Sequence, residues 1–503
     1  MIRLAAAESA GFAASHAQFE TILNFVQSDD AFWLSHGELE QTLATQGREL
    51  IRRLLQDHLD LRANREPRLE VMDERGVERG SVEKGHKRSL PTLFGEVEVD
   101  RLAYRQRGQP NLHPADGVLN LPTEKYSHGQ RKLAAIEASR GSYEGVVEAI
   151  QRTSGVCIGK RQVEELAIRA AADFEAYYGA CARQPCALED VLVISCDGKG
   201  IVMRPEALRE GTRKAAAKSK RKLATRLSKG EQGNRKRMAE VGCVYDVEPI
   251  PRTPQDILRG PGGKEAAKAA PTARAKWVMA SVVEDAAGVV AQLFAEAERR
   301  DPKHQRTWIA LMDGNNHQLD LVRTEAQKCG MTIPILVDFI HVLEYLWRAA
   351  WSFHVEGDPE AETWVGDKAL AVLDGRASQV AAAIRRSATR RGLEPDRRAG
   401  TDSCADYLLH KRPYLDYPRA LREGWPIATG VIEGACRHLV KDRMDLTGAR
   451  WGLLGAEAVL KLRALRTNGD FQEYWGFHVI REKRRIHQSR YLHNSIPGEK
   501  DAP

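Results

Sequence analysis

Apolar residues recur every three or four positions from Ala17 to about Arg65: Phe19, Ile22, Leu23, Phe25 and Val26, then Leu43, Leu50, Ile51, Leu54 and Leu55. That spacing puts them on one face of a helix, so residues 1–87 are expected to form a helical N-terminal region. From Arg88 the period shortens. Val97, Val99, Leu102 and Tyr104 alternate with polar positions around Gly95, which predicts a β-hairpin or small sheet within 88–126, with arginines along its edge to follow a phosphate backbone. Within 127–184, Tyr143–Arg152 predicts a short helix, Gly155 a turn, and Lys160, Arg161 and Gln162 the start of a second helix. The spacing is that of a helix-turn-helix. A plain helical hairpin has the same pattern, and the cations with Gln162 are what point to DNA.

Beyond Pro185 the pattern is that of buried strands. Val191–Cys196 is an almost unbroken apolar run ended by Asp197 and Gly198, and a second short apolar run follows. Two adjoining strands are predicted. Glu240–Val247 predicts a third, and residues 251–274 read as an exposed loop. A long helix is expected from about Ala275 to Arg300. The strand Trp308–Met312 follows, capped by Asp313, Gly314 and Asn315, then a helix to about Cys329 and a strand Ile333–Val337 ending in Asp338. Strand, strand, strand, helix, strand, helix, strand, helix is the element order of an RNase H-like α/β core, a mixed sheet flanked by helices. Its first part spans 185–341.

Residues 342–425 carry Trp347, Trp351, Trp364, Leu370, Val372 and Val380 at helical intervals, which predicts an all-helical insertion. The core is expected to close within 426–480 through a helix that starts near Gly430 and carries Glu433. That leaves 481–503 as a basic C-terminal tail.

Composition narrows the function. A length of 503 residues suggests about three domains, and 42% hydrophobic with 29% charged residues excludes wholesale disorder. The net charge of +7 matters because it is clustered: residues 211–237 hold eleven Lys or Arg against the single acid Glu231. Such a run releases counterions from phosphates and gives affinity without sequence preference. Lys220, Arg221, Lys222, Arg235, Lys236 and Arg237 are therefore expected DNA contacts, in a segment too cationic to fold alone. No apolar leader segment opens the chain and no stretch reaches about 18 apolar residues, so membrane spanning is excluded and a cytoplasmic protein is expected. Eight cysteines without a Cys-x-x-Cys pair fit neither a disulfide framework nor a zinc ribbon. Cys181 and Cys186, the one close pair, are expected to be buried apolar residues.

The chemistry rests on three acids. Cutting a phosphodiester without a covalent protein intermediate requires an activated water or 3′-hydroxyl and a stabilised leaving oxygen, and two hard cations about 4 Å apart supply both. Carboxylates suit Mg²⁺ or Mn²⁺. Asp197 follows one buried strand, Asp313 ends the fourth strand of the string, and Glu433 lies on the closing helix. In the RNase H order the first and fourth strands are neighbours, so the aspartates meet and the helix brings the glutamate. Asp-Gly is also a common turn dipeptide, and Asp442, Asp445 and Glu457 compete for the place of Glu433. Arg437, one turn beyond Glu433, can bind phosphate, restrain the carboxylate or form a plain surface pair. Arg450 and Trp451 offer a cation and an aromatic plane for an unpaired base, although a Trp there is more often core.

The stretches VISCDGKG, LMDGNNH, VDFIHVLEYLW and TGVIEGACRHLVKDRMDLTGARW resemble the signatures of bacterial insertion-sequence DDE transposases of the ISKra type, related to the Mutator-like and IS256-like group. The resemblance covers nearly the whole chain. It implies that Asp197 and Asp313 are the first and second catalytic aspartates and Glu433 the third acid, with two Mg²⁺ or Mn²⁺ ions as cofactors. It also implies a role for Asp338 and His341, which match an Asp/Cys-x-x-His arrangement. His341 would contact a scissile phosphate or orient Asp338; a helix N-cap Asp beside a packed His is the simpler reading. The implied partner is double-stranded DNA, at transposon ends and target, with a homo-oligomer of two or more copies to hold both ends. Two rivals stay open: an RNase H-like nuclease or resolvase, and a helix-turn-helix protein that binds DNA without cutting.

Overall fold

The computed structural model describes residues 10–183, 187–218, 223, 225–226, 228, 235–258, 268–446 and 448–499. The chain divides into two units, one formed by Met1–Gly179 with Asp470–Pro503 and the other by Ala180–Gly469. No helix among the described residues is long and apolar enough to cross a membrane.

In the first unit, helix Ala13–Val26 and the 29-residue helix His36–Asn64 flank the short helix Asp29–Phe32. Ser35 starts the long helix through a capping box with Glu38. Strands β1 (Ser81–Thr92) and β2 (Gly95–Arg105) form the expected hairpin, antiparallel, with Leu90 opposite Val97. It begins before Arg88, where residues 83–88 hold no apolar side chain and so show no alternation to read. Its arginines serve the fold. Arg101 pairs with Asp116 at 2.6 Å, and Arg88 donates to the Pro122 carbonyl at 2.5 Å. Three helices, His128–Arg140, Tyr143–Ser154 and Lys160–Ala170, then pack together through Ala134, Ala138, Val146, Ile150, Val163 and Ala167. Gly155 ends the middle one at φ 71°, a left-handed conformation that suits glycine.

The segment expected to be core end and basic tail belongs to this unit instead. Helix Phe471–Ile486 runs through the boundary at 480. The buried Arg131 meets Glu482 at 2.7 Å, and Tyr491 and Ile496 join Val71, Leu102 and Tyr104 in one core. Counting basic residues could not reveal this, because the apolar anchors are spaced too widely to form a pattern.

The second unit is mixed α/β. Strands β3 (Val191–Val202), β4 (Lys236–Val247), β5 (Ala273–Ser281), β6 (Trp308–Met312) and β7 (Ile335–Val337) form one sheet in the spatial order β5–β4–β3–β6–β7. β4 runs antiparallel to both of its neighbours, β3 and β5, whereas β6 runs parallel to β3 and β7 parallel to β6.

Two expectations need correction, and they offset each other. The two adjoining strands expected after Val191 are one strand, paired without a break to β4 from Val191–Val247 to Val202–Lys236. The helix expected from Ala275 is a strand as far as Ser281, and only Ala286–Arg300 is helical. Trp277–Ser281 is buried at every position, and a run buried on both faces has no alternation to distinguish strand from helix. Helices cover both faces of the sheet. Gly242 leaves room for Leu293 of helix Ala286–Arg300, since a Cβ there would sit 2.6 Å from that side chain. Residues 339–422 are largely helical, as expected, in helices Phe339–Ala350, Pro359–Leu373, Ala377–Arg390, Pro395–His410 and Tyr417–Arg422. The ends of the basic run are ordered as well: Glu210–Lys218 is a helix, while Lys236 and Arg237 open β4. Lys220, Arg221, Lys222 and Cys186 lie outside the described residues.

Candidate active site

Strand register assembles the site. Leu192–Ile194 pair with Trp308–Ala310, and Ala310–Met312 pair with Ile335–Val337. Continuing both registers sets Asp197 on β3 level with Asp313 and Asp338, the residues just past the ends of β6 and β7, and carrying the alternation one residue on gives all three the same face. The ladder reaches this level, since the Asp338 N–H donates to the Met312 carbonyl at 2.8 Å. On that face Ser195 also donates to the Leu311 carbonyl at 2.5 Å.

A broken helix crosses the same face. Helix Gly430–Ala435 runs into a π-turn over Cys436–Lys441, and both pack on β3. The wider turn lets Cys436 donate its thiol proton to Asp197 Oδ2 at 3.3 Å. Burial, reinforced by the nearby Asp197 charge, pushes the Cys436 thiol pKa up, so the donor stays protonated. The other Asp197 oxygen accepts from Gly198 N–H at 2.6 Å, and Asp313 Oδ1 from Asn315 N–H at 2.8 Å.

Thr429 links the remaining acids. Its hydroxyl donates to Asp338 Oδ2 and lies 3.5 Å from Glu433 Oε1. The Phe339 N–H to Ile427 carbonyl bond, 2.9 Å, holds the two segments together. Asp338 is fully buried, and its other oxygen caps the following helix at Ile340 N–H, 2.8 Å. The N-cap reading of Asp338 therefore holds. His341 does not orient it, because its ring faces Glu344 at 3.3 Å. Glu457 is no competitor for Glu433, for its carboxylate accepts from Ser281 Oγ and from the N–H groups of Val282 and Val283.

The helical segment contributes two groups that sequence reasoning missed. Lys411 is buried and donates to the Asn316 side chain; burial lowers its pKa, while Asp313 and Asp320 act in the opposite direction. Tyr407, whose pKa is raised by burial and then by neighbours including Tyr345 and Asp313, stacks on Tyr345 at 3.8 Å. Neither carries a motif, and only tertiary packing brings them to the Asp313 turn.

No protein-family model matches the sequence, and no curated protein matches it. The site must therefore be judged on its chemistry. Carboxylate oxygens suit Mg²⁺ or Mn²⁺, and Asp197 and Asp313 are half-buried while Glu433 is exposed, so the donors fit hard cations reached from solvent. Three oxygens on one octahedral ion at about 2.1 Å lie within about 4.2 Å of one another. The three acids are not that close. Among the described residues, the group with three ligand atoms within 4.8 Å is His354, Asp358 and Glu360. Helix capping accounts for that group: Asp358 accepts from Glu360 N–H and meets His354 Nδ1, both at 2.9 Å. The acids thus lie at one end of the sheet, with Glu433 exposed, and do not form one coordination sphere.

The expected DNA contacts divide into available and engaged. Arg450 and Lys236 are exposed. Arg437 is exposed and lies 3.7 Å from Asp442, a surface pair rather than a restraint on Glu433. Arg235 is half-buried. Arg237 donates to the Val282 carbonyl at 2.6 Å and the Ala207 carbonyl at 3.2 Å, a structural role. Lys160 pairs with Glu144 and Arg161 with Glu165. Gln162 Oε1 accepts from Gly159 N–H and Tyr126 OH, so it caps its own helix. Trp451 is buried, its indole donating to the Met444 carbonyl at 3.0 Å beneath Arg443. Trp451 is thus core, as its position favours, and not a stacking surface for an unpaired base.

Proposed function

We propose that the chain is a DNA transposase with an RNase H-like core that cuts and joins strands by a DDE mechanism, using Asp197, Asp313 and Glu433. The observation that carries this is the level row of aspartates on β3 and just past the end of β6, the first and fourth strands of the sheet in chain order, with the helix bearing Glu433 across the same face. The sheet order supports the fold assignment, since the first strand lies between the antiparallel second and the parallel fourth.

Asp197, Asp313 and Glu433 would hold two Mg²⁺ or Mn²⁺ ions. Bound there, such ions would supply activation of the attacking water or 3′-hydroxyl and stabilisation of the leaving oxygen. The chain's own part is to preset the acids. Gly198 N–H and Cys436 S–H fix both oxygens of Asp197, Asn315 N–H fixes one of Asp313, and Thr429 holds the Glu433 turn against Asp338. Groups fixed before the reaction need less reorganisation during it. Arg437, Arg450 and Lys236 supply phosphate contacts, and the three-helix cluster within 127–184 binds the terminal inverted repeats as double-stranded DNA. Acting on two ends calls for at least two copies.

Purified protein with Mg²⁺ and a duplex carrying the element's ends is expected to nick at those ends, and Asp197→Ala to abolish nicking. A variant that cuts as well as its parent removes the reading.

A further inference from the structure

Among the described residues, the N-terminal helices leave an apolar face uncovered. Helices Ala13–Val26 and His36–Asn64 run antiparallel: Ser15 N–H donates to Asp57 at 3.1 Å, Arg53 reaches the Ala14 carbonyl at 3.4 Å, and helix Asp29–Phe32 turns the chain at the other end. The long helix faces the β-hairpin through Arg52 and Gln56, which donate to the Glu96 and Glu98 carbonyls. At about 100° per residue, Leu43, Gly47, Ile51 and Leu54 fall on the side away from the hairpin. Phe19, Leu23 and Val26 form a second stripe on that same side of the two-helix layer. Five of these are exposed large apolar side chains, and at the turn Phe32 is 79% and Trp33 82% exposed. Fully burying such a side chain from water is worth about 1.5–3 kcal/mol, so the stripe residues, less than half exposed, each have roughly 1 kcal/mol still to gain, and a run of them side by side suits an interface.

Charge identifies what covers it. On the uncovered side the first half of the long helix presents Glu40 and no Lys or Arg. The second half presents Arg62 there, whereas Arg52 and Arg53 pair with Glu49 and turn to the hairpin and the neighbouring helix. A helix with this division matches its own reverse: a two-fold antiparallel contact sets each acidic half against a basic half, whereas a parallel contact sets like against like. Gly47, with open space above its Cα, lies near the middle of the stripe and permits close approach. We propose that two copies of this chain associate through this face, the helix His36–Asn64 of one antiparallel to that of the other, to close a four-helix bundle. The proposal does not depend on the catalytic reading.

Sedimentation equilibrium of the full chain at about 1–50 µM is expected to show a dimer. Leu23→Glu with Ile51→Glu is expected to give a monomer with unchanged far-UV circular dichroism and melting, since both side chains are exposed. Glu40→Lys is expected to weaken the dimer about tenfold, and adding Arg62→Glu to restore it, a rescue that only paired halves can produce. A parent chain that stays monomeric at about 50 µM overturns the proposal and gives the face to another occupant. So does a dimer indifferent to the Leu23 and Ile51 substitutions.

Discussion

The Cys436 thiol donates a hydrogen bond to Asp197 Oδ2 at 3.3 Å, joining residues 239 apart in the chain. It is one of the contacts between the broken helix that carries Glu433 and the central strand. Cys436→Ala removes the donor and leaves a small void, and is expected to cost about 1–2 kcal/mol in urea unfolding. With Asp197 less restrained, single-turnover cleavage should slow about tenfold with little change in KM for DNA. Cys436→Ser keeps a donor and should recover most of the rate. If serine is as slow as alanine, the hydrogen bond does not position Asp197.

Thr429 is expected to matter through Asp338. That carboxylate is fully buried and takes the Thr429 hydroxyl proton, so Thr429→Val leaves a buried acceptor without its donor at a cost of about 1–3 kcal/mol. Thr429→Ser should be close to the parent. Denaturant midpoints for the two variants decide it, and a valine variant as stable as the serine one would show that Asp338 has another source of support.

Gly314 follows Asp313 with φ 97°, and a Cβ there would lie 3.4 Å from the Tyr407 hydroxyl and 3.5 Å from Val337. Gly314→Ala therefore combines backbone strain with crowding, for an expected loss of about 1–3 kcal/mol. Because the strain falls beside a proposed catalytic aspartate, nicking should drop further than stability alone explains. Comparing rates with Gly392→Ala, also at positive φ but with nothing within 4 Å, separates the two effects.

Asp313 was legible because a short apolar strand ends at an Asp-Gly turn, and the structure has that strand at Trp308–Met312. The long strand β3 was not, since Asp197, Gly198, Lys199 and Gly200 look like a turn. Those glycines instead make room for neighbours on β4: a Cβ would meet Met238 above Gly198 and Lys236 above Gly200, each at 2.9 Å. Misreading one strand as two hid the missing β5, so the element order looked complete for the wrong reason. The place of Cys436 depends on a π-turn, and those of Tyr407 and Lys411 on distant packing. Residue spacing encodes neither.

Acid should weaken the unit formed by Met1–Gly179 and Asp470–Pro503 before its carboxylates begin to titrate. Arg131 donates to His128 Nδ1 at 2.7 Å, which requires a lone pair there and hence a neutral ring. Burial, and then Arg131, lowers the His128 pKa to about 4. Burial also lowers His113 and His487, whose rings bond to the Leu102 and Leu121 carbonyls. Each folded-state pKa lies below the unfolded value of about 6.5, so the unfolded chain takes up protons that the folded one does not. Stability is intact above about pH 6.5 and falls as pH drops toward the folded values, by up to about 3 kcal/mol for His128 alone near pH 4. Asp173 and Glu482 behave differently. Burial alone would raise them, but His478 and Arg485 for the first and Arg131 for the second outweigh it and hold both carboxyls low, so their contribution persists until about pH 4 and then falls. Between pH 7.5 and 5 the histidines should dominate, visible as falling protection factors in helix Phe471–Ile486. His128→Gln keeps an acceptor for Arg131 without a titrating ring, so its exchange should vary less with pH once intrinsic rates are divided out; a slope equal to the parent's would mean that His128 is not the group that responds.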